Sequence, residues 1–430
     1  MNMIATLLVS NILHFFAPDT AQHQLIVGSY TKKGNPGIEV YAVNAVTGKP
    51  KLLYTKENAN ASYLTLANNG KSMYAVTEGG KDASFVSAYQ LDATNQFQKL
   101  NQEPIKGAAP CFIVSRPESK TVYTANYTSG SVSVFKTLDN GALLPIAQEI
   151  NYSGSSIHKA RQEASHAHNV VLTPDHNQLL VTDLGADKIY MHKIYADGLL
   201  DEKYTTVSIT PGNGPRHFVF NNSGTHGYLI NELSGTVDVF SIRANALEKI
   251  QTITADTAKT TATKGSGDIH ISPNGKWLIT TNRVTSEQLT VFKIEADGKL
   301  TKMYHQPVAQ RPRNFSFSPN GNFVFVASQT EDKVQIFSFD DATGKLTNTN
   351  QDMAVSGPVC LVFSNEAMEV NPEERIKQLN IQLIPVVPPI ANYVKQVQVG
   401  NLVYLSGHGP DKPGGGQMFG HLGKDVTIEE

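Results

Sequence analysis

The chain has 430 residues, of which 40% are hydrophobic and 17% are charged, and its formal net charge is −2 at a sequence pI near 6.7. This near-neutral balance argues against binding to nucleic acid or to an anionic membrane, because both need a basic surface. Two cysteines, Cys111 and Cys360, argue against a disulfide framework. We expect both to be buried in equivalent strand positions, and no Cys/His set has the spacing of a metal site.

Residues 1–22 are predicted to be a secretory leader. The segment from Met3 to Ala17 is apolar apart from polar spacers. It is too short for a transmembrane helix and has the length of a signal-peptide core, with small residues near Ala17 and Ala21 for cleavage. The segment before it has no Lys or Arg, so a disordered or mis-started leader is the alternative. A signal peptide implies a periplasmic or secreted protein; otherwise the protein is cytoplasmic.

A unit of short alternating strands recurs along most of the chain. In the copy at residues 214–247, the runs HFVFN and GYLINE flank Asn-Ser-Gly, and TVDVFSI follows. Alternation broken by turn residues predicts a meander of antiparallel strands. The second strands of the copies end 46 to 57 residues apart, near the period of roughly 40–50 residues of propeller blades. The six copies begin at Ser62, Pro110, His166, Pro215, Asp268 and Pro312.

The seventh blade is predicted to combine both ends of the repeat region. Gln24–Val27 and Ile38–Val43 form strands without an innermost partner, and the run PVCLVFS at Pro358–Ser364 supplies it. Pairing the two ends closes the ring and removes open sheet edges. We therefore predict an all-β, seven-bladed propeller over residues 23–364. Insertions at 151–165 and 255–267 are predicted loops on one face of the disc.

Residues 365–430 do not follow the blade pattern. They predict a short helix starting near Pro372, the Pro-rich run LIPVVPPI, and a hairpin through Gly400-Asn401. This is a small, incomplete α+β segment, too short to be expected to form a hydrophobic core of its own.

The alignment of the repeats places polar residues together. In an antiparallel blade the start of the innermost strand lies beside the end of the second strand, so both positions form rings around one mouth of the channel. Cationic groups there suit an anionic ligand or a developing oxyanion, and a histidine can take a proton from water near neutral pH. The charged residues at these positions are His168, Arg216, Glu232, Arg283 and Arg313.

Structural interpretations of the same residues remain open. Arg216 and Arg313 each follow a proline and could join neighbouring blades. His166 and His168 share a strand face and could be structural histidines or metal ligands, although no third ligand is evident. Glu232 could simply neutralise an arginine.

Several motifs occur together in the order of a known family. They are SHAHNVVLTPD, GPRHFVF, YLINELSGTV, DIHISPNGKWLITTNR, PRNFSFSPNG and PVCLVF. Together they resemble the lactonase family of seven-bladed propellers, which includes a 6-phosphogluconolactonase and the fungal carboxy-muconate cyclase. The cyclase has a proposed site of one histidine, two arginines and a glutamate. The resemblance places these on His168, Arg216, Glu232 and Arg283.

The tail resembles a second family. The runs PEERIKQLNIQLIPVVPPIANYV and VGNLVYLSGHGP are similar to the beginning of a Rid-type (YjgF-like) imine deaminase domain. Members of that family are trimers whose key arginine lies further downstream. Because the sequence ends at Glu430, deaminase activity is not carried over.

The sequence thus predicts a lactonase that hydrolyses a sugar-acid lactone, as a 6-phosphogluconolactonase does, without a cofactor. His168 would activate water, Arg216 and Arg283 would bind the anionic group or oxyanion, and Glu232 would orient His168 or an arginine. An exported protein would fit an unphosphorylated lactone better. A muconate-type cycloisomerase and a non-enzymatic binding module are the alternatives, and the oligomeric state is not predicted. Further candidates for substrate contacts are His166, His217, Asn231, His270 and Arg313.

Overall fold

The computed structural model describes residues 22–367 apart from 33, 244–245 and 260–263, together with the backbone of 396–399 and 402–405. The chain divides into two compact units, Met1–Met368 and Glu369–Glu430. The predicted leader, apart from Gln22, and the helix and Pro-rich run predicted for the tail lie outside the described residues.

The first unit consists of seven antiparallel sheets that form propeller blades. Blade 1 contains β1 (Gln22–Ser29), β2 (Gly37–Asn44) and β3 (Pro50–Glu57). Blade 2 contains β4 (Leu64–Ala67), β5 (Ser72–Thr77), β6 (Phe85–Leu91) and β7 (Phe97–Pro104). Blade 3 contains β8 (Pro110–Arg116), β9 (Thr121–Asn126), β10 (Ser131–Thr137) and β11 (Leu143–Asn151), with a 3₁₀ turn at Pro117–Ser119.

The remaining blades repeat this order. Blade 4 contains β12 (Ala167–Leu172), β13 (Gln178–Asp183), β14 (Lys188–Ile194) and β15 (Leu200–Ser208). Blade 5 contains β16 (Pro215–Phe220), β17 (His226–Asn231), β18 (Thr236–Arg243) and β19 (Ala246–Thr254). Blade 6 contains β20 (Ser266–Ile271), β21 (Trp277–Asn282), β22 (Gln288–Ile294) and β23 (Leu300–Pro307). Blade 7 contains β24 (Pro312–Phe317), β25 (Phe323–Ser328), β26 (Lys333–Asp340), β27 (Lys345–Asn348) and β28 (Met353–Ala354).

The two ends of the repeat region close the ring, as predicted. The last strand of the unit, β29 (Pro358–Ala367), pairs antiparallel with β1, so that Leu25 faces Phe363 and Val27 faces Leu361. The innermost strands of neighbouring blades contact one another around a complete circle. This closure leaves no open edge between the first and last blades.

Apolar cores lie between blades. The second strand of a blade is buried along its whole length, as in β9, β21 and β25, whereas outer strands such as β7 expose most of their residues. Each pair of neighbouring blades shares a cluster of buried side chains, including the pair formed by blades 7 and 1. Burial of these faces is the main force that holds the ring together. Cys111 and Cys360 are buried and free.

The innermost strands share a bulge beside their first residue. In blade 4, Ala167 pairs with Asp183 but Asn169 pairs with Thr182, so His168 has no paired residue on the neighbouring strand. The same shift occurs at the start of the innermost strands of blades 3, 5, 6 and 7. A bulge turns a side chain away from the regular alternation of a strand. In blades 4, 5 and 7 the bulged residues are His168, Arg216 and Arg313.

The second unit is described only by one hairpin. Strands β30 (Gln396–Val399) and β31 (Leu402–Leu405) pair antiparallel, which confirms the hairpin predicted there. Most of the residues that carry the predicted likeness to an imine deaminase lie outside the described part, and that likeness stays a prediction. No helix in the described part of the chain is both long and apolar enough to cross a membrane.

Candidate active site at the channel mouth

Glu232 is the centre of the charged groups at the mouth. Its Oε2 accepts hydrogen bonds from Arg216 Nε at 3.0 Å and Arg283 Nη2 at 2.7 Å, and its Oε1 accepts one from Arg161 Nη2 at 2.7 Å. We call these four residues the Glu232 cluster. Burial favours the protonated carboxyl, but the three guanidinium charges outweigh it and lower the pKa of Glu232 to about 2. One carboxylate therefore faces three cations, and the cluster has an excess of positive charge.

Two glycines of the second insertion fix the arginines. Arg216 Nη1 donates to the carbonyl of Gly267 at 2.7 Å, and Arg283 Nε donates to the carbonyl of Gly265 at 3.2 Å. Gly265 has φ +74, and its amide donates to the Glu232 carbonyl. A side chain at this left-handed conformation would be strained and would strike Val284. The backbone at the end of the second insertion and at the start of β20 thus holds two arginines in place.

His168 lies against the cluster as a neutral base. Its Nε2 is 3.9 Å from Glu232 Oε2, and its Nδ1 is 3.7 Å from Cys111 Sγ. The residue is only 4% exposed. Burial, and then the charge of Arg216, lower the pKa of His168 well below its ordinary value of 6.5. The imidazole is therefore unprotonated at neutral pH, and it is a weaker base than the sequence alone suggests. Glu232 hydrogen-bonds the arginines rather than His168.

A buried chain of hydrogen bonds leads from Arg216 down the channel wall. Arg216 Nη1 is 3.0 Å from His217 Nε2, and His217 Nδ1 is 2.7 Å from Asp268 Oδ1. Asp268 Oδ2 is 2.8 Å from His270 Nε2 and also accepts a hydrogen bond from Asn314. Burial, with Arg216, lowers the pKa of His217 to about 3. Neutral His217 can thus donate to Asp268 and accept from Arg216.

Arg313 belongs to a second charged group at the same mouth. Its guanidinium lies over the Tyr30 ring at 5.3 Å, and the Tyr30 hydroxyl donates to Glu78 Oε2 at 2.8 Å. Burial raises the pKa of Tyr30 to about 12. Arg216 lies at the start of β16 and Arg313 at the start of β24, and both strands contact β20, so the two groups lie at the same end of blades 5 and 7, on either side of blade 6.

Two residues that were predicted to contact the substrate, Asn231 and His166, do not belong to the Glu232 cluster. The Asn231 amide donates to Asp238 Oδ2 at 3.0 Å inside blade 5, so its side chain points away from the cluster. His166 stacks on Tyr127, with ring centroids 4.4 Å apart, and its Nδ1 donates to the Tyr127 carbonyl. Within the described residues, no group of three or more His, Cys, Asp or Glu side chains could hold a metal ion.

Three residues of the site were not predicted as site residues. Arg161 comes from the first insertion, and Tyr127 accepts a hydrogen bond from it at 3.2 Å. Asp268 links His217 to His270. Tyr127 follows a second strand at an aligned position of the repeat, so a rule that admits neutral polar residues would have found it. Asp268 lies one residue beyond the aligned strand-start position, which Gly267 occupies. Arg161 has no counterpart in other blades.

The fold and the mouth residues together define a seven-bladed propeller with a cationic, histidine-containing cluster at the channel mouth. The family model described as lactonase, 7-bladed beta-propeller, matches residues 24–363. The chain therefore belongs to the seven-bladed lactonase family.

Proteins that are named as lactonases are similar to this chain in sequence and in structure. A 6-phosphogluconolactonase of Formosa agariphila is 34% identical over 343 residues, covering 77% of this chain and 97% of that protein. The crystal structure of a putative 6-phosphogluconolactonase from Bacteroides fragilis aligns with a TM-score of 0.77 and 39% identity, covering 81% and 99%. The periplasmic gluconolactonase of Pseudomonas aeruginosa aligns with a TM-score of 0.75 and 32% identity, covering 80% and 99%.

Proposed function

We propose that the protein hydrolyses a sugar-acid lactone, as a 6-phosphogluconolactonase does, at the channel mouth. The observation that carries this proposal is the neutral imidazole of His168 beside three arginines that a single carboxylate does not neutralise. Hydrolysis of an ester needs a base for water and positive groups for the oxyanion. Family membership and the names of the relatives support the same chemistry.

In the proposed reaction, water attacks the lactone carbonyl while His168 accepts one of its protons. Arg216 and Arg283 stabilise the oxyanion of the tetrahedral intermediate, because their guanidinium groups are held in fixed positions by Glu232 and by backbone carbonyls. The ring C–O bond then breaks, and the imidazolium of His168 returns the proton to the departing alkoxide. The product is an open hydroxy acid, and no cofactor is consumed.

The proposal is tested by following acid release from a panel of lactones in a pH-stat. The panel contains 6-phosphogluconolactone and gluconolactone. A carboxy-muconate, the substrate of the rival cycloisomerase reaction, is assayed separately by proton uptake, because its ring closure converts a carboxylate into an ester. We expect at least one sugar lactone to open much faster than it does spontaneously. Turnover of the muconate alone would favour the cycloisomerase, and turnover of none would favour a binding module.

Asp268→Asn should weaken catalysis without removing a group that touches the substrate. The amide cannot accept from His217 and His270 as the carboxylate does, so His217, one of the groups that hold Arg216, is less firmly oriented. Misplacement of about 1 Å can lower a rate about 100-fold. We therefore expect kcat to fall roughly 10–100-fold with a smaller change in KM. Steady-state kinetics measure both, and Asp341→Asn, at an exposed position, is the control.

The pH profile should show no inflection at the ordinary histidine value. Because burial and Arg216 lower the pKa of His168 well below its ordinary value of 6.5, the base stays unprotonated as the pH falls to that value. The profile of kcat/KM reports groups of the free enzyme. After subtraction of spontaneous ring opening, its acid limb should therefore lie below the ordinary histidine value. An acid limb centred near pH 6.5 in the wild-type profile would contradict the assigned environment of His168.

A further inference from the structure

Arg161 differs from the other arginines of the Glu232 cluster in its accessibility. The exposed fraction of its side chain is 35%, compared with 2% for Arg216 and 11% for Arg283. Within the part of the chain that the structure describes, its Nη2 donates hydrogen bonds to Glu232 and Tyr127, whereas its Nε and Nη1 have no partner. Arg161 is therefore the cluster member best able to receive a group that enters from solvent.

The loop that carries Arg161 is anchored without it. The next residue, Gln162, is fully buried, and its Nε2 donates to the Leu184 carbonyl at 2.9 Å and to Asp187 Oδ2 at 2.7 Å. Gln162 Oε1 accepts from the His158 amide at 3.1 Å. The position of the loop is thus fixed by Gln162, and the Arg161 side chain is available for binding.

We propose that Arg161 binds the phosphate group of a phosphorylated sugar lactone and so sets the preference for phosphorylated over unphosphorylated substrate. This inference rests on the proposed lactonase function. A phosphate is a dianion that matches the planar fork of a guanidinium. The cluster has positive charge in excess of what Glu232 neutralises. Arg216 and Arg283 remain for the carbonyl oxygen, while Arg161, further towards solvent, takes the distal anion.

The test compares two lactones that differ in the phosphate group. In Arg161→Ala, kcat/KM for 6-phosphogluconolactone should fall about 10–100-fold, mainly through KM, because a charge-assisted pair is lost. The value for gluconolactone should fall much less, since that lactone has no phosphate for Arg161 to bind. Arg161→Lys should recover part of the loss, because the charge remains without the fork.

Lys159→Ala is the matched control. Lys159 is exposed on the same loop, so its removal changes the net charge equally without touching the cluster. An equal loss of activity on both lactones in Arg161→Ala, or an equal effect of Lys159→Ala on 6-phosphogluconolactone, would overturn the assignment while leaving the lactonase function intact.

A binding measurement separates this inference from the proposed reaction. Titration calorimetry with inorganic phosphate should show binding to wild type that weakens at least tenfold in Arg161→Ala. If no lactone is hydrolysed, the proposed reaction fails, and this titration still decides the role of Arg161. Equal phosphate binding by the two proteins would refute it.

Discussion

Replacing Arg216 with alanine is expected to lower kcat/KM for the better lactone about 10²–10³-fold, the loss typical of removing one donor to an oxyanion. Arg216 is 2% exposed and is held by Glu232, Gly267 and His217. Its guanidinium therefore does not have to reorganise when negative charge develops. Initial rates measured for the purified variant test this effect.

The controls for Arg216 separate charge from geometry. Arg216→Lys keeps the charge but cannot reproduce the bonds of the planar guanidinium, so it should remain strongly impaired. Arg243→Ala removes an exposed arginine from the same blade and should leave the rate unchanged. Full activity in Arg216→Ala would show that the oxyanion is stabilised elsewhere.

Glu232→Gln is expected to destabilise the folded protein by roughly 3–5 kcal/mol, because it removes the carboxylate that neutralises buried cations. Glu232 is 4% exposed, and Arg161, Arg216 and Arg283 all donate to it. Urea unfolding measures the change. Glu248→Gln, at an exposed position of the same blade, should change stability little. Equal stability of Glu232→Gln and wild type would mean that the arginines do not depend on Glu232.

The difference in unfolding free energy between wild type and Glu232→Gln should depend on pH. The pKa of Glu232 is about 2 in the folded protein, below its ordinary value of 4.5. The ionised carboxylate therefore stabilises the fold fully above about pH 4.5, and this contribution is lost as the pH falls towards 2. The gap in unfolding free energy between wild type and Glu232→Gln should accordingly narrow between pH 6 and pH 3.

The blades and the ring closure were predictable because each blade repeats the same turn signals. The second strands were expected to end 46 to 57 residues apart, and β5, β9 and β13, which end at Thr77, Asn126 and Asp183, fit that spacing. A one-residue error would have moved every side chain to the other face of its strand. The correct register is why His168, Arg216 and Arg313 could be placed at one mouth.

The side-chain directions of Asn231 and His270 and the position of Arg161 depend on geometry that the sequence repeat does not specify. Asn231 precedes Glu232 by one residue, and strand alternation turns its side chain into the blade, where it meets Asp238. His270 lies two residues beyond Asp268 and contacts it from further along the channel wall. Arg161 lies in an irregular insertion, and the path of such a loop cannot be derived from strand periodicity.

The rate of acid release from 6-phosphogluconolactone and gluconolactone tests the central claim most directly. Wild type, His168→Ala and Arg216→Ala are compared at equal concentration, with the spontaneous rate subtracted and folding checked by circular dichroism. We predict that wild type opens at least one lactone well above background and that both folded variants lose nearly all of this activity. Wild-type rates equal to spontaneous ring opening, or full activity in both variants, would contradict it.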